Sequence, residues 1–294
     1  VTKLNFIENY KDSGGIGNYR SVLRNWTLNW LSGWYDLKDT ASIMMKPRVQ
    51  FLLFHHVFKD EEASFRKLLT FLQKHFQFIS YSDAIQKILN SEIDKPYLVL
   101  SSDDGFKTNL AAATILQEFG VSACFFVNPS IIGETDKKKI SEYCDKILHF
   151  SPVEFLTWND VDTMLKMGHE IGSHSMDHLR IAKSTVEHVK EDLGKSFSIL
   201  KHRCGDVKHF AFPYGKFADF NEMGRSVCFE AGFYSCASAE RGSHVNNSTK
   251  ITNTELCIRR DHIVFDWKLE HIMYFLKRSS INAKSPNNLF NLNA

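Results

Sequence analysis

Apolar and polar positions along this chain follow two alternating rhythms. Short apolar runs of strand length, at Val49 to Phe54, Tyr97 to Ser101 and Val121 to Val127, are separated by stretches whose apolar residues recur on one helical face. Phe65, Leu68, Leu69 and Leu72 do so between Glu61 and His75. A helix from about Thr108 to Phe119 is stopped at Gly120, and Glu170 to Ser173 reads as a strand. Thr157 with Asp160, and Ser184 with Glu187, are capping-box patterns that open two more helices, the first ending near Gly168. Further strands are expected at His209 to Phe212, Phe233 to Ala237 and Leu256 to Arg260, with helices at about Ala218 to Ala231 and Asp266 to Arg278. Strands alternating with helices at this spacing predict an α/β fold whose mainly parallel sheet closes, or nearly closes, into an irregular TIM-like (β/α) barrel of seven strands.

The first stretch does not share this rhythm. Trp26, Trp30, Trp34 and Tyr35 fall near helical spacing among Gly14, Gly15, Gly17 and Gly33. Residues 1–46 therefore read as an appended helical segment, placed to serve as an oligomer contact, a lid or a membrane-surface element. The main domain is expected over 47–280 and a tail over 281–294.

Composition narrows the class. At 294 residues the chain is long enough to bury one large α/β core. Its formal charge of +2 gives no reason to expect a nucleic-acid partner. Six cysteines without CxxC spacing argue against a zinc ribbon or a disulfide framework, and Cys124, Cys236 and Cys257 lie in apolar runs as reduced core residues. No run approaches the roughly 18 apolar residues of a transmembrane segment. With no signal-peptide pattern in the given sequence, a cytoplasmic enzyme is expected, free or peripheral to a membrane.

In a barrel of this kind the chemistry sits where strands end. Three strand ends carry polar residues. In SSDDGF (Ser101 to Phe106), two adjacent carboxylates repel unless a cation or a shared proton separates their roles. In GHEIGSHSMDHLRI (Gly168 to Ile181), His174 and His178 can reach one ion if the intervening turn folds back, and a carboxylate from Asp104 would complete a His-His-Asp set with open positions. In HFAFPYG (His209 to Gly215) a strand runs into a Pro-initiated turn. Taken singly, each has an ordinary structural explanation. His169, His188, His202, His209 and His244 read as surface or packing residues.

Together and in this order, the three motifs resemble the polysaccharide deacetylase family, whose members include chitin-oligosaccharide and peptidoglycan deacetylases, in the branch reading Phe-Ala-Phe-Pro-Tyr-Gly. The likeness runs from about Arg48 to Lys277 and takes in FLLFHHV and FQFISYSDAI near its start. It implies a metal-dependent hydrolase that removes an N-acetyl or other N-acyl group from an amino sugar. Asp103 would be the general base toward the attacking water. Asp104, His174 and His178 would hold a divalent metal, Zn2+ first among candidates. The backbone N–H of Tyr214 would meet the oxyanion, with Phe212, Pro213 and Tyr214 beside the substrate. The sequence has Ala211 where many relatives place an Arg, so the Arg that orients the base is sought in Arg260 or its neighbour Arg259. The proton donor to the leaving amine is sought first in His55, with His56 and His271 left open. Asp266 and Trp267 faintly match the family's Asp-Trp motif, Trp267 serving otherwise to anchor the last helix. The expected partner is an N-acetylated sugar, an oligosaccharide, or a lipid- or nucleotide-linked glycan precursor. Rival readings are a hydrolase of a small non-sugar amide on the same scaffold and a catalytically silent carbohydrate-binding barrel.

Overall fold

The computed structural model describes residues 6–13, 28 and 43–283. The first strand, β1 (Arg48–Phe54), is buried along its whole length, as a parallel strand covered on both faces must be. It is followed by α1 (Glu62–Leu72), a short β2 (Gln77–Phe78), α2 (Tyr81–Leu89) and β3 (Pro96–Ser102). Next come α3 (Thr108–Glu118), β4 (Ala123–Val127), α4 (Lys137–Tyr143), α5 (Trp158–Lys166), β5 (Glu170–Ser173), α6 (Val186–Cys204) and β6 (His209–Ala211). The chain continues through α7 (Glu222–Glu230), β7 (Ser235–Ala237), β8 (Ser243–His244), β9 (Cys257–Ile258) and β10 (Arg260–His262) to α8 (Leu269–Ile281).

Hydrogen-bonded neighbours run β10-β1-β3-β4-β5-β6-β7-β9, all parallel. The two ends of this path are consecutive in sequence, separated by Arg259 alone. Residues 257–262 thus act as one broken strand that pairs with β7 through Cys257 and Ile258 and with β1 through Arg260 to His262. Counted this way, the ring has the seven strands expected; β2 and β8 are short additions at its margin.

Two faces follow from the period-2 alternation of the strands. Leu52, Phe54, Leu98, Leu100, Phe125 and Ile171 pack outward against the helices. Val49, Phe51, Val99, Cys124, Phe126, Ala211, Ala237 and Ile258 fill the inside together with Tyr81, Ile85 and Ile88 of α2. Tyr81 stands against Phe51 (5.0 Å) and His209 (4.8 Å), so α2 plugs the barrel at the end where the strands begin. Glu170, Ser82 and His209 tie that end together: Ser82 donates to Glu170 (2.5 Å), and its Oγ lies 2.9 Å from His209 Nε2. The opposite end of the barrel is left for a cleft.

Several boundaries differ from expectation. The capping box at Thr157 and Asp160 is present, but α6 is capped by Thr185 rather than Ser184, because the Thr185 hydroxyl is the one that accepts the His188 N–H (3.3 Å). The helix expected from Ala218 is a single turn, Phe217–Asp219, before Asn221 caps α7. The last helix begins at Leu269, with Trp267 packed on Phe275 (5.5 Å) ahead of it. Helices α2 and α4 were not among the expected elements. Cys124, Cys236 and Cys257 are buried free thiols. His169, His209 and His244 are buried packing residues, and His188 and His202 are exposed. Of the segment 1–46, residues 6–13 form a strap with one turn, Tyr10–Ser13; Trp26, Trp30, Trp34 and Tyr35, and residues 284–294 of the tail, lie outside the described residues.

Candidate active site

The face alternation of each strand decides which polar residue enters the cleft. In β1 the inward set is Val49, Phe51 and Leu53, so His55 is the next to point in and His56 falls beside it. In β3 the same parity brings in Val99, Ser101 and Asp103, and in β5 it brings in Gly172 and His174. Gly172 is needed there, since a Cβ would stand 2.5 Å from the Phe126 ring.

Asp104 follows Asp103 in a left-handed conformation (φ 74°), which turns its carboxylate back over the barrel mouth. Gly105 continues that conformation (φ 70°), and a Cβ there would meet Ile132 at 2.9 Å. His174 Nε2 lies 3.4 Å and His178 Nε2 3.6 Å from Asp104 Oδ1; His55 Nε2 lies 3.9 Å from Oδ2. His174 donates its Nδ1–H to the Ala211 carbonyl (2.7 Å), which leaves the Nε2 lone pair facing Asp104. The turn between the two histidines is fixed by Asp192 of α6, which accepts the N–H groups of Met176 (2.9 Å) and Asp177 (3.3 Å). Asn128 adds donors to the carbonyls of His174 and Ser175 (3.3 Å for the latter). Ser175 (φ 63°) and His178 (φ 55°) complete the fold-back.

The environments of this trio are those of groups able to hold a cation. Asp104 Oδ1 is buried with no hydrogen-bond donor among the described residues. Burial, and then the neighbouring Asp103 charge, push the Asp104 carboxyl well above its ordinary range. Burial holds His174 down to about 4 and His178 down to about 2, so both imidazoles are neutral at ordinary pH. One ligand atom from each of the three residues lies within 4.8 Å of the others. Two imidazole nitrogens and a carboxylate oxygen converging in a buried pocket form a set that could hold a divalent metal with open positions.

Asp103 has the opposite environment. Burial would raise its carboxyl, but the fully buried Arg260 guanidinium overrides this and holds it at about 2. Arg260 grips it bidentately, at 2.7 Å to Oδ1 and 2.9 Å to Oδ2, while its Nε–H donates to the Ser238 carbonyl (2.8 Å). Arg259 instead lies over the Phe217 ring (4.8 Å).

His55, Asp103, Asp104, His174 and His178 line a cleft of about 660 Å³. Phe212 and Tyr214 belong to its wall. Pro213 is buried but does not line it, so the substrate contact expected of Pro213 is replaced by a part in turning the chain. Tyr214 is left-handed (φ 65°), with its ring on His178 (4.8 Å) and beneath Arg180 (3.8 Å). Gly215 has no room for a side chain, a Cβ falling 2.4 Å from that of Ala239. His56 also reaches the cleft wall, stacked on Phe106 (4.1 Å) and Phe58 (4.6 Å). His271 is buried on α8 and does not line the cleft. Sequence reasoning overlooked His262, Arg241, Asn128 and Asp192. Only His262 had a local signal, two positions after Arg260 and therefore on the same strand face; its ring meets His55 edge-on at 5.0 Å.

The family model for polysaccharide deacetylases matches residues 90–230. The fold is shared with a deacetylase of Streptococcus pyogenes, PplD (TM-score 0.60, 15% identity, 78% of this chain and 98% of that one). It is also shared with IcaB of Ammonifex degensii (TM-score 0.60, 15% identity, 80% and 97%) and with a de-N-acetylase of Aggregatibacter actinomycetemcomitans (TM-score 0.57, 18% identity, 78% and 99%). No curated protein matches by sequence. The fold is thus one that known deacetylases share. Within the matched stretch lie Asp103, Asp104, His174, His178 and the Phe212 to Gly215 turn. No helix among the described residues is long and apolar enough to cross a membrane.

Proposed function

We propose that this protein is a metal-dependent N-deacetylase of an amino sugar within a glycan, an oligosaccharide, or a lipid- or nucleotide-linked glycan precursor. The observation that carries the reading is the contrast between two adjacent carboxylates: Asp103 is clamped and ionised by Arg260, while Asp104 faces two neutral imidazoles with its Oδ1 unpartnered. Asp104, His174 and His178 would hold the ion, with Zn2+ favoured by the nitrogen-rich set. A cation held there supplies Lewis acidity at the amide carbonyl. Asp103 takes the proton of the attacking water, and Arg260 keeps its carboxylate charged and oriented. The Tyr214 backbone N–H donates to the oxyanion as the carbonyl becomes tetrahedral. His55, nearest to Asp104 from the β1 side, delivers the proton to the departing nitrogen as the C–N bond breaks, leaving acetate and a free amine.

The test is mass spectrometry of metal-loaded protein incubated with N-acetyl sugars in free, nucleotide-linked, lipid-linked and polymeric form, beside small acyl amides. Loss of an acetyl group from one of the sugars, abolished in Asp103→Asn, supports the proposal. Turnover of the small amides alone would remove the sugar, and full activity in Asp103→Asn would remove the base.

A further inference from the structure

The charged groups that line the cleft are unevenly placed. Its carboxylates are accounted for: Asp103 is clamped by Arg260, Asp104 faces the two imidazoles, and Glu61, in the segment after β1, accepts the Phe58 N–H at Oε2 (3.1 Å). Lys216 and Arg241 stand on the loops that follow β6 and β7. Those strands are hydrogen-bonded neighbours, and their loops run against each other. Ala239 N–H donates to the Gly215 carbonyl (2.7 Å), at the point where a Cβ on Gly215 would fall 2.4 Å from that of Ala239. Lys216 directly follows one member of this contact, and Arg241 comes shortly after the other.

Arg241 is braced from behind and presented to the cleft. Its guanidinium carbon lies 3.8 Å from the centre of the Phe275 ring, its Nη2–H donates to the His262 carbonyl (2.7 Å), and its Nη1 lies 3.4 Å from Asp261 Oδ1. Asp261 is fully buried and is itself fixed, accepting from the Ser279 hydroxyl (2.8 Å) and from Gln50 Nε2 (3.3 Å). These contacts occupy two of the guanidinium's N–H donors and leave 32% of the side chain exposed. Lys216 is exposed, and no carboxylate among the described residues lies within ion-pair distance of its ammonium.

We infer that Lys216 and Arg241 bind a phosphate group of the substrate, so that the enzyme deacetylates a phosphate-bearing amino sugar in preference to a neutral one. This rests on the deacetylase reading given above. A sugar hydroxyl is satisfied by one neutral polar partner. Two cations from adjoining loops, one of them a planar fork held in place by a buried carboxylate, match instead the several oxygens and the negative charge of a phosphate. Asp261 offsets the charge of Arg241, so the net attraction comes from Lys216 while Arg241 supplies directed donors. The cleft volume of about 660 Å³ lies within the range, roughly 300–1,000 Å³, of pockets that enclose small ligands, which leaves room for a sugar ring and its phosphate. A sugar monophosphate and the diphosphate of a nucleotide-linked sugar offer the same oxygens, and the assay below separates them.

The experiment compares the full-length protein with Lys216→Ala and Arg241→Gln on N-acetylglucosamine, N-acetylglucosamine 1-phosphate and UDP-N-acetylglucosamine. A phosphorylated sugar should have the higher kcat/KM, by a margin that shrinks with added salt, and Lys216→Ala should cut that margin about three- to thirtyfold through KM. Which of the two phosphorylated sugars leads tells monoester from diphosphate. Lys216 is exposed and unpaired, so its variant remains informative even if Arg241→Gln unsettles the Asp261 network. A preference for the neutral sugar, or a preference for phosphate that survives both variants, would overturn the site. A binding arm separates this from the deacetylase reading: in titration calorimetry, glucosamine 1-phosphate, which has no acetyl group to lose, should bind more tightly than glucosamine, and less so in Lys216→Ala. If no acetylated sugar is turned over but this difference is seen, the phosphate site stands and the deacetylase reading falls. If glucosamine 1-phosphate binds no better than glucosamine, or binds wild type and Lys216→Ala alike, the phosphate site falls by itself.

Discussion

Arg260→Met tests the central electrostatic argument. Arg260 has five N–H donors; two grip Asp103, one of these groups also lies 3.3 Å from the Ser101 hydroxyl, and Nε–H is taken by the Ser238 carbonyl. Both members of the pair are buried, so removing the cation leaves an uncompensated carboxylate, a loss of about 3–5 kcal/mol. Against a total stability of about 5–15 kcal/mol this is a large fraction. With a urea m-value of about 3 kcal/mol/M, the unfolding midpoint should fall by about 1–1.7 M at pH 7. Asp103→Asn should also destabilise, by stranding the guanidinium. The double variant should recover much of the loss, with a coupling of about 2 kcal/mol or more, because neither charge is then buried alone. The pair also sets an acid limit. Asp103 is held at about 2 against an ordinary 3.8, so its contribution is full above pH 3.8 and is lost as pH falls through 2. Midpoint shifts of the two single variants that simply add, with coupling below about 0.5 kcal/mol, would refute the clamp.

Other predictions concern the trio. Zn2+ at a hundredfold excess over its dissociation constant should stabilise the protein by about 2.7 kcal/mol, and His178→Ala should abolish that increment; a calorimetric melt unmoved by Zn2+ would count against the site. Asp192→Asn loosens the Met176–Asp177 turn without touching a ligand and should weaken Zn2+ binding about 10- to 100-fold by competition titration, while unchanged affinity would make Asp192 merely structural. In chelator-treated protein, His174, His262 and His178, held at about 4, 3 and 2 against an ordinary 6.5, stay neutral while the unfolded chain takes up protons. Stability should therefore be full above pH 6.5 and fall below it, by about 1.4 kcal/mol per pH unit for each group, and a urea midpoint constant from pH 7 to pH 5 would contradict this.

Much of the architecture was legible in the chain itself, because strand and helix periodicities and caps are properties of near neighbours. Thr157 with Asp160, the stop at Gly120 and the buried run of β1 are of this kind. The three motif-bearing strand ends were legible too, and their order carried the family resemblance. Face alternation could have separated His55 from His56 only once a register was known, and that register comes from the pairing of β1 with β3.

What required the folded chain was everything that joins distant positions. Arg260 and Arg259 are equivalent in composition and adjacent in sequence; the broken strand that closes the ring sends one to Asp103, 157 residues away, and the other over Phe217. Asp192 and Asn128 show no motif, since their task is to hold backbone groups of a turn that exists only after β5 and α6 have packed. The Tyr10 strap lies outside the strand and helix rhythm and meets the cleft through Asp60 and Pro152. Residue type and spacing name the groups able to do chemistry. Burial and long-range pairing decide which carboxylate is ionised, which imidazole faces inward and which arginine is spent on the site, because desolvation and Coulomb forces act through space, not along the chain.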